Sequence, residues 1–467
     1  MAKRLFYSLY ATDGFINLPT DPTGCLPRRS VYIFGFVGGL WKVQDKGTGK
    51  YKIIDESLDP SNIEARDALR GTAVIPSPLI KMDVDDELFI TLTNLGLFRA
   101  AEPILDVHTV HIHGGHVATQ IDGVPETSFG VPVTPFGTPS ISITYYFKPE
   151  TPGSYFYHCH QEAAEHVQMG MYGGLIVYPS AKAMSKYTRN DDITNRNFAN
   201  NDPCSYFDKE YVLLLSDIDS TWHDAVQNQT GFNAVDFKPD WWLVNGRSFP
   251  DTLLPAGVPV GGGAYRIPEG YDSYVHVKNG QKFLFRLINM GYQPVPWHTH
   301  GWHGRIVNKD AHAVTHEMMA FTQLVGSGES YDLLFTAEDK RPLYADYIFC
   351  GKGGFPSLKT QVDNATTESI ARGTFMPGFG DSNTLWANTP KEGGTDLCPF
   401  PGNFEVNNYG ERDNFFFPQF YIAHNHDDYK VTNNGVYPGG QLIFIQTDLN
   451  KEIPHAPCDP EREPDCR

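Results

Sequence analysis

Short runs of alternating apolar and polar residues recur along the chain, separated by clusters of glycine, proline, asparagine and aspartate. Alternation with a period of two marks a half-buried strand, and turn residues between such runs mark antiparallel sheet. The runs form two series in the same order. VDDELFITLTNLG (84–96) and KNGQKFLFRLINMG (278–291) both close on Asn-x-Gly. Each is followed by His-x-His-Gly, at His111 to Gly114 and at His298 to Gly301. A second β-type run comes next, SISITYYF (140–147) in one series and ESYDLLFTA (329–337) in the other. Then comes another His-x-His, HCH at 158–160 and HNH at 424–426, and a closing run, YGGLIVYP or YPGGQLIFIQ. One plan stated twice predicts an all-β chain of two β-sandwich domains.

The first domain is expected over 1–180 and the second over 205–450, with a polar linker at 181–204 and a tail at 451–467. The copies differ in one gap. His113 to His158 spans 45 residues, whereas His300 to His424 spans 124. The second domain therefore carries an insertion at about 341–414, rich in glycine and proline, expected as a surface excursion.

The HCH triplet has a chemical meaning in a strand. Residues i and i+2 share a face about 7 Å apart, and the residue between them points the other way. His158 and His160 can then serve one site while Cys159 serves another, joined by a few bonds of backbone. Partners for the cysteine lie nearby: His108, three residues before His111, then His166 and Met171. Two imidazoles, a thiolate and a weak axial thioether are the ligands of a blue-copper electron-transfer centre. Structural zinc takes four nitrogen or sulfur ligands, usually with more cysteines, and has no use for Met171. Met169 is expected to pack beside the site.

HTVHIHG followed by HCHQEAAEHVQMGM resembles the copper signature of the multicopper oxidases, and the resemblance covers both halves of the chain. It implies two cupredoxin-like Greek-key domains, the second with the long insertion. The type 1 copper ligands His108, Cys159, His166 and Met171 fall in the first domain, as in two-domain laccase-like members and copper nitrite reductases. The second domain lacks them: Val295 stands where His108 does, Asn425 replaces Cys159, and Val436 is matched to Met171. Its histidine pairs remain. By resemblance His111 and His298 bind a type 2 ion, and His113, His158, His160, His300, His424 and His426 bind a type 3 pair, a trinuclear cluster. With type 1 copper this implies about four coppers per subunit. In two-domain relatives the cluster forms between neighbouring subunits, so a homotrimer is expected, with an intrachain cluster as the alternative. One departure stands out: His166 falls seven positions after Cys159, a longer interval than is usual in the family, which should reshape the rim of the type 1 site.

The resemblance implies a laccase-like oxidase that takes single electrons from a donor and reduces dioxygen to water. Asp122 and Glu162 match acidic positions that assist proton delivery. His116, His303, His312 and His316 fall off the ligand spacing and are expected at the surface or behind the ligands. Copper nitrite reductase is the nearest alternative, but it lacks the second histidine of HCH and carries an aspartate where His111 stands. A non-enzymatic copper carrier leaves the one-sided loss of type 1 ligands unexplained. The donor is open among phenols, aromatic amines and metal ions; Glu162 and Glu165 beside His166 could draw a cation such as Fe(II), Mn(II) or Cu(I).

Composition narrows this little further. Forty-four glycines, 34 prolines, 24 tyrosines and 30 phenylalanines suit turns and strands. A formal charge of −18 argues against a nucleic-acid partner. No stretch approaches the roughly 20 apolar residues of a membrane helix, so no membrane partner is expected. Setting Cys159 aside leaves Cys25, Cys204, Cys350, Cys398, Cys458 and Cys466, an even number compatible with disulfides, Cys458 and Cys466 being a plausible pair. An oxidising compartment, periplasmic or extracellular, is expected, with the leader not visible in this chain.

Overall fold

The computed structural model describes residues 2–22, 24, 26–189, 192–260, 265–338 and 419–448. The expected insertion and tail, and five of the seven cysteines, lie outside the described residues.

The first domain holds β1 (Lys3–Leu18), β2 (Arg29–Asp45), β3 (Tyr51–Ile53), α1 (Ile63–Asp67), β4 (Ile80–Asp83), β5 (Glu87–Asn94), β6 (His111–His113), β7 (Ser142–Phe147), β8 (Gly153–His158), α2 (Ala163–Gln168) and β9 (Tyr172–Tyr178). One sheet runs β3-β2-β1-β5-β7 and the other β4-β9-β8-β6. The second domain holds β10 (Lys209–Ile218), α3 (Ser220–Asn228), β11 (Trp241–Val244), β12 (Val275–Lys278), β13 (Lys282–Asn289), β14 (Val295–Thr299), β15 (Gly304–Lys309), β16 (His312–Ala313), β17 (Met319–Ala320), β18 (Thr322–Val325), β19 (Ser330–Thr336), β20 (Gln419–Asn425) and β21 (Leu442–Asp448). Its sheets run β11-β10-β13-β19-β15-β16, with β17 beside β15, and β12-β21-β20-β14-β18.

The duplication read from the sequence is a duplication of topology. β1 lies parallel to β5 as β10 lies parallel to β13, and β4 parallel to β9 as β12 to β21. His111 pairs with His158 across β6 and β8, and His298 pairs with His424 across β14 and β20. Alternation sets the faces: in β14, Val295, Trp297 and Thr299 turn inward, while Pro296 and His298 do not.

The two sandwiches share a core. The β8–β9 face lies on β10, β13, β15 and β19 of the second domain. Phe156, Tyr172, Ile176 and Tyr178 there join Val212, Leu214, Leu284 and Ile288 in one buried cluster. A polar lock sits inside it. Ser154 Oγ donates to Asp332 at 2.5 Å, and Arg286 donates to Asp332 at 3.0 Å and to Glu210 at 2.8 Å. Pairing of this kind is what makes buried charge tolerable. Gly153, at φ 151°, sits where a side chain would meet the backbone of Ala311 at 2.5 Å, so the close approach of the domains requires glycine. The molecule is thus four sheets deep. The β6–β8 histidines belong to the second layer and the β14–β20 histidines to the fourth.

The 181–204 segment is more than a polar connection. Met184, Ile193 and Phe198 pack with Tyr206 in a small core of their own, and Asn200 hydrogen-bonds Asn308 and the Val307 carbonyl. No helix among the described residues is long and apolar enough to cross a membrane.

Candidate metal centres

β8 ends at His158, but its ladder runs one residue on, because Cys159 N–H donates to the Met171 carbonyl at 3.0 Å. The pleat therefore still operates at Cys159. Tyr155, Tyr157 and Cys159 enter the first-domain core with Met169 and Met171, while His158 and His160 turn to the other face and meet at 5.7 Å between ring centroids.

Around Cys159 the structure gathers the residues the spacing singled out. Donor atoms of His108, Cys159 and His166 all lie within 4.8 Å of one another, and all three residues are buried. Sγ is 3.9 Å from His108 Nδ1 and 3.4 Å from His166 Nδ1. Met171 is fully buried beside them, its N–H bonded to the His166 carbonyl at 3.0 Å. One thiol and two imidazoles aimed at a common point, with a methionine adjacent, fit copper. Burial holds His108 well below the ordinary histidine range, with His166 adding to the effect. Burial also lowers His166, but the nearby Asp106 carboxylate and the Cys159 thiol outweigh it and raise that imidazole to about 10. Met169 packs in the core, as expected.

The longer Cys159–His166 interval is wound into α2. Glu162 takes a left-handed φ of 43° to begin it, and His166 N–H donates to the Glu162 carbonyl at 3.0 Å. The chain leaves the helix at Gly170, φ 116°, where a Cβ would meet Ile75 at 2.3 Å. The geometry also places Glu162. Its carboxylate groups with Asp106 and His166, donor atoms within 4.8 Å of one another, at the rim of the Cys159 centre. Asp106 carried no sequence signal: it lies in a loop outside both motifs.

The remaining histidines form two quartets. In the first, His111 lies 6.0, 5.2 and 5.2 Å by ring centroid from His113, His158 and His160. In the second, His298 lies 4.7, 5.6 and 5.1 Å from His300, His424 and His426. One device orients several rings. His158 Nδ1 faces the Cys159 carbonyl at 2.9 Å, His424 Nδ1 the Asn425 carbonyl at 2.8 Å, and His298 Nδ1 the Phe321 carbonyl at 2.8 Å. A carbonyl only accepts, so each Nδ1 carries the proton and Nε2 is left for a metal. His111 is held likewise by the Asp122 carbonyl at 2.9 Å, with the Asp122 carboxylate at 3.0 Å. Burial lowers His158 to about 3 and also lowers His113, His300 and His424, so these rings are neutral and fit to ligate. Among the described residues no ring contact joins one quartet to the other. His116, His303, His312 and His316 are exposed.

The second domain fills its missing centre with amides. Val295 does occupy the place of His108, and Asn425 that of Cys159. The residue facing Asn425 is Gln441, however, and not Val436. Asn425 N–H donates to the Gln441 carbonyl at 3.1 Å, as Cys159 N–H does to Met171, and His424 pairs with Leu442 as His158 pairs with Tyr172. Matching Tyr-Gly-Gly to Tyr-Pro-Gly-Gly misplaced the position, and Val436 is exposed. Asn425 Nδ2 donates to Gln441 Oε1 at 2.8 Å, and Gln441 Nε2 donates to the Ser216 and Leu243 carbonyls, each at 3.1 Å.

Comparison with known proteins agrees with this geometry. Two family models, both described as multicopper oxidase, match residues 60–182 and 209–373. Multicopper oxidase MmcO of Mycobacterium tuberculosis is 23% identical over 316 residues, covering 62% of this chain and 54% of that protein. Laccase 1 of Metarhizium guizhouense is 28% identical over 192 residues, 40% of this chain and 28% of its own. The chain thus spans about half the length of the first relative and less of the second. In fold it is similar to the blue copper oxidase from Nitrosomonas europaea, at a TM-score of 0.53 and 22% identity over 95% of this chain and 86% of that one. With two family models matched in tandem over most of its length, this chain belongs to the multicopper oxidases.

Proposed function

We propose that this chain is a laccase-like oxidase, taking single electrons from a reducing donor and delivering them to dioxygen to give water. The observation that carries the reading is an asymmetry: both domains keep a histidine quartet, but only the first keeps Cys159 with His108, His166 and Met171. His108, Cys159, His166 and Met171 would hold type 1 copper; His111 and His298 a type 2 ion; and His113, His158, His160, His300, His424 and His426 a type 3 pair. Bound copper supplies the one-electron redox chemistry that protein side chains lack. The chain's own part is geometric. Cys159 and its flanking His158 and His160 join the two kinds of site through a few backbone bonds. Burial keeps His113, His158, His300 and His424 neutral. Asp122 orients His111 and, being partly exposed, can carry protons inward from water.

The same reading makes the working unit a homotrimer. Facing sheets lie about 10 Å apart, so quartets in the second and fourth layers of one chain are separated by about two such spacings. That disfavours an intrachain cluster and favours one formed between copies. Exposed apolar side chains flank the second-domain quartet, Met319 at 52%, Phe321 at 56% and Leu324 at 57%, and Phe129 at 71% lies on the first domain. A heterologous contact that closes by rotation makes a ring. Export to an oxidising compartment belongs to the same proposal.

Oxygen uptake with a phenol, an aromatic diamine and Fe(II), together with copper counting, tests it. About four coppers per chain and donor-dependent uptake are expected. About two coppers and nitrite turnover would select a copper nitrite reductase, and copper without turnover a carrier. Asp106 and Glu162 against His166 favour cationic donors as a second reading. Asp106→Asn with Glu162→Gln should then slow Fe(II) and spare a neutral phenol; equal effects on both donors would refute it.

A further inference from the structure

The helix that lengthens the Cys159–His166 interval is held from the other domain. α2 has six residues, too few to be stable by itself. Tyr292, between β13 and β14, places its hydroxyl 3.0 Å from the Ala163 carbonyl and 2.7 Å from the Ala164 carbonyl, so its one proton is shared between them. Gln168, at the far end of α2, accepts from Asp219 N–H at 2.9 Å and donates to the Asp217 carbonyl at 3.2 Å. Asp217 closes the loop, because its carboxylate accepts from the N–H groups of Tyr292 at 3.2 Å and Gln293 at 3.0 Å. The Tyr292 ring is fixed edge-on against Phe237 at 5.4 Å. His166 lies between these two points of attachment, and its Nδ1 faces Cys159 Sγ. A small rotation of α2 changes that distance directly.

We propose that Tyr292 is a positioning residue for the Cys159 centre, acting across the domain boundary by fixing α2 and thereby the angle at which His166 meets its metal. The inference rests on the assignment of His108, Cys159, His166 and Met171 to copper. It accounts for the one departure from the family's spacing: the extra residues give the second domain something to grip. The donor-facing centre in one domain is thereby set by the segment that runs on into β14 and His298 of the other.

The test uses the copper-loaded, full-length protein. Tyr292→Phe removes the hydroxyl and leaves the ring on Phe237. Expected are an unchanged copper count and thermal midpoint, with an altered thiolate-to-copper absorption band and a type 1 potential moved by at least threefold in the one-electron equilibrium constant. Gln168→Met, which cuts the other attachment, should move the same signals, and the double variant should move them by less than the sum, because both act through α2. A Tyr292→Phe protein with the wild-type band and potential would overturn the proposal. So would loss of quartet copper along with type 1 copper, which would mark a general structural role. Absence of any thiolate–copper band in the wild type would instead sink the copper assignment itself.

Discussion

Thr109 and Pro296 occupy the same place in the two domains, and only Thr109 has a backbone N–H. That N–H points at Cys159 Sγ, 3.5 Å away, while the Thr109 hydroxyl accepts from His160 N–H at 3.0 Å. In the second domain His426 N–H goes to the Pro296 carbonyl at 2.8 Å, and there is no sulfur to serve. A donor thus stands where a thiolate must be stabilised, and proline where none is present. Thr109→Pro should bind type 1 copper at a potential lower by about 59 mV, a tenfold change in a one-electron equilibrium. Redox titration of the visible band checks this.

The amide network of the second domain should be worth keeping for stability alone. Gln441→Leu removes the acceptor of Asn425 Nδ2 and takes one donor each from the Ser216 and Leu243 carbonyls. Leaving a buried polar group unpaired costs about 1–3 kcal/mol, so a loss of roughly 2 kcal/mol is expected, chiefly from Asn425. Denaturant unfolding of the metal-free protein measures it, and the thiolate–copper band of the copper-loaded protein should be unchanged.

Acid should weaken the metal-free protein through His158. Burial holds its folded pKa at about 3, below the ordinary 6.5 of an exposed imidazole. The unfolded state therefore takes up the proton first. Its contribution is fully present above pH 6.5 and declines as pH falls, by about 1.4 kcal/mol per unit, until about pH 3. His158→Gln should flatten the stability curve by that slope between pH 6 and pH 4, measured by urea unfolding.

Leu324 faces Pro296 on β18, two residues along from Thr322, whose hydroxyl contacts His298. Leu324→Asp places a charge on the apolar rim of the second quartet. On the proposed trimeric reading, the assembly should dissociate and bound copper should fall from about four to about one per chain, with the thiolate–copper colour retained. Light scattering and copper analysis together read the outcome.

Much of this was legible in the sequence because period two is a rigid rule. His158, Cys159 and His160 fall on alternate faces whatever surrounds them, and the repeated His-x-His pairs announced the duplication. The grouping of Glu162 with Asp106 and His166 was not legible, because backbone direction cannot be read across a helix start that turns on one left-handed residue. Val436 is matched to Met171 because Gly-Gly pairs look alike as letters, whereas strand register, decided by hydrogen bonds to β20, puts Gln441 there. Asp106, Thr109 and Tyr292 carried no ligand signal, Thr109 being only a spacer within HTVHIHG. Their partners are 60, 50 and about 130 positions away, and only packing brings them together.

The common core between the sandwiches has an evolutionary implication. A free cupredoxin of the ancestral kind must be soluble on every side, but here the β8–β9 face is greasy and glycine-thin, shaped only for its twin. Neither half can be spliced out, exchanged or expressed as a stand-alone electron carrier without exposing that seam. The two sandwiches are thus one indivisible part, and only their rims are free to change without opening the seam.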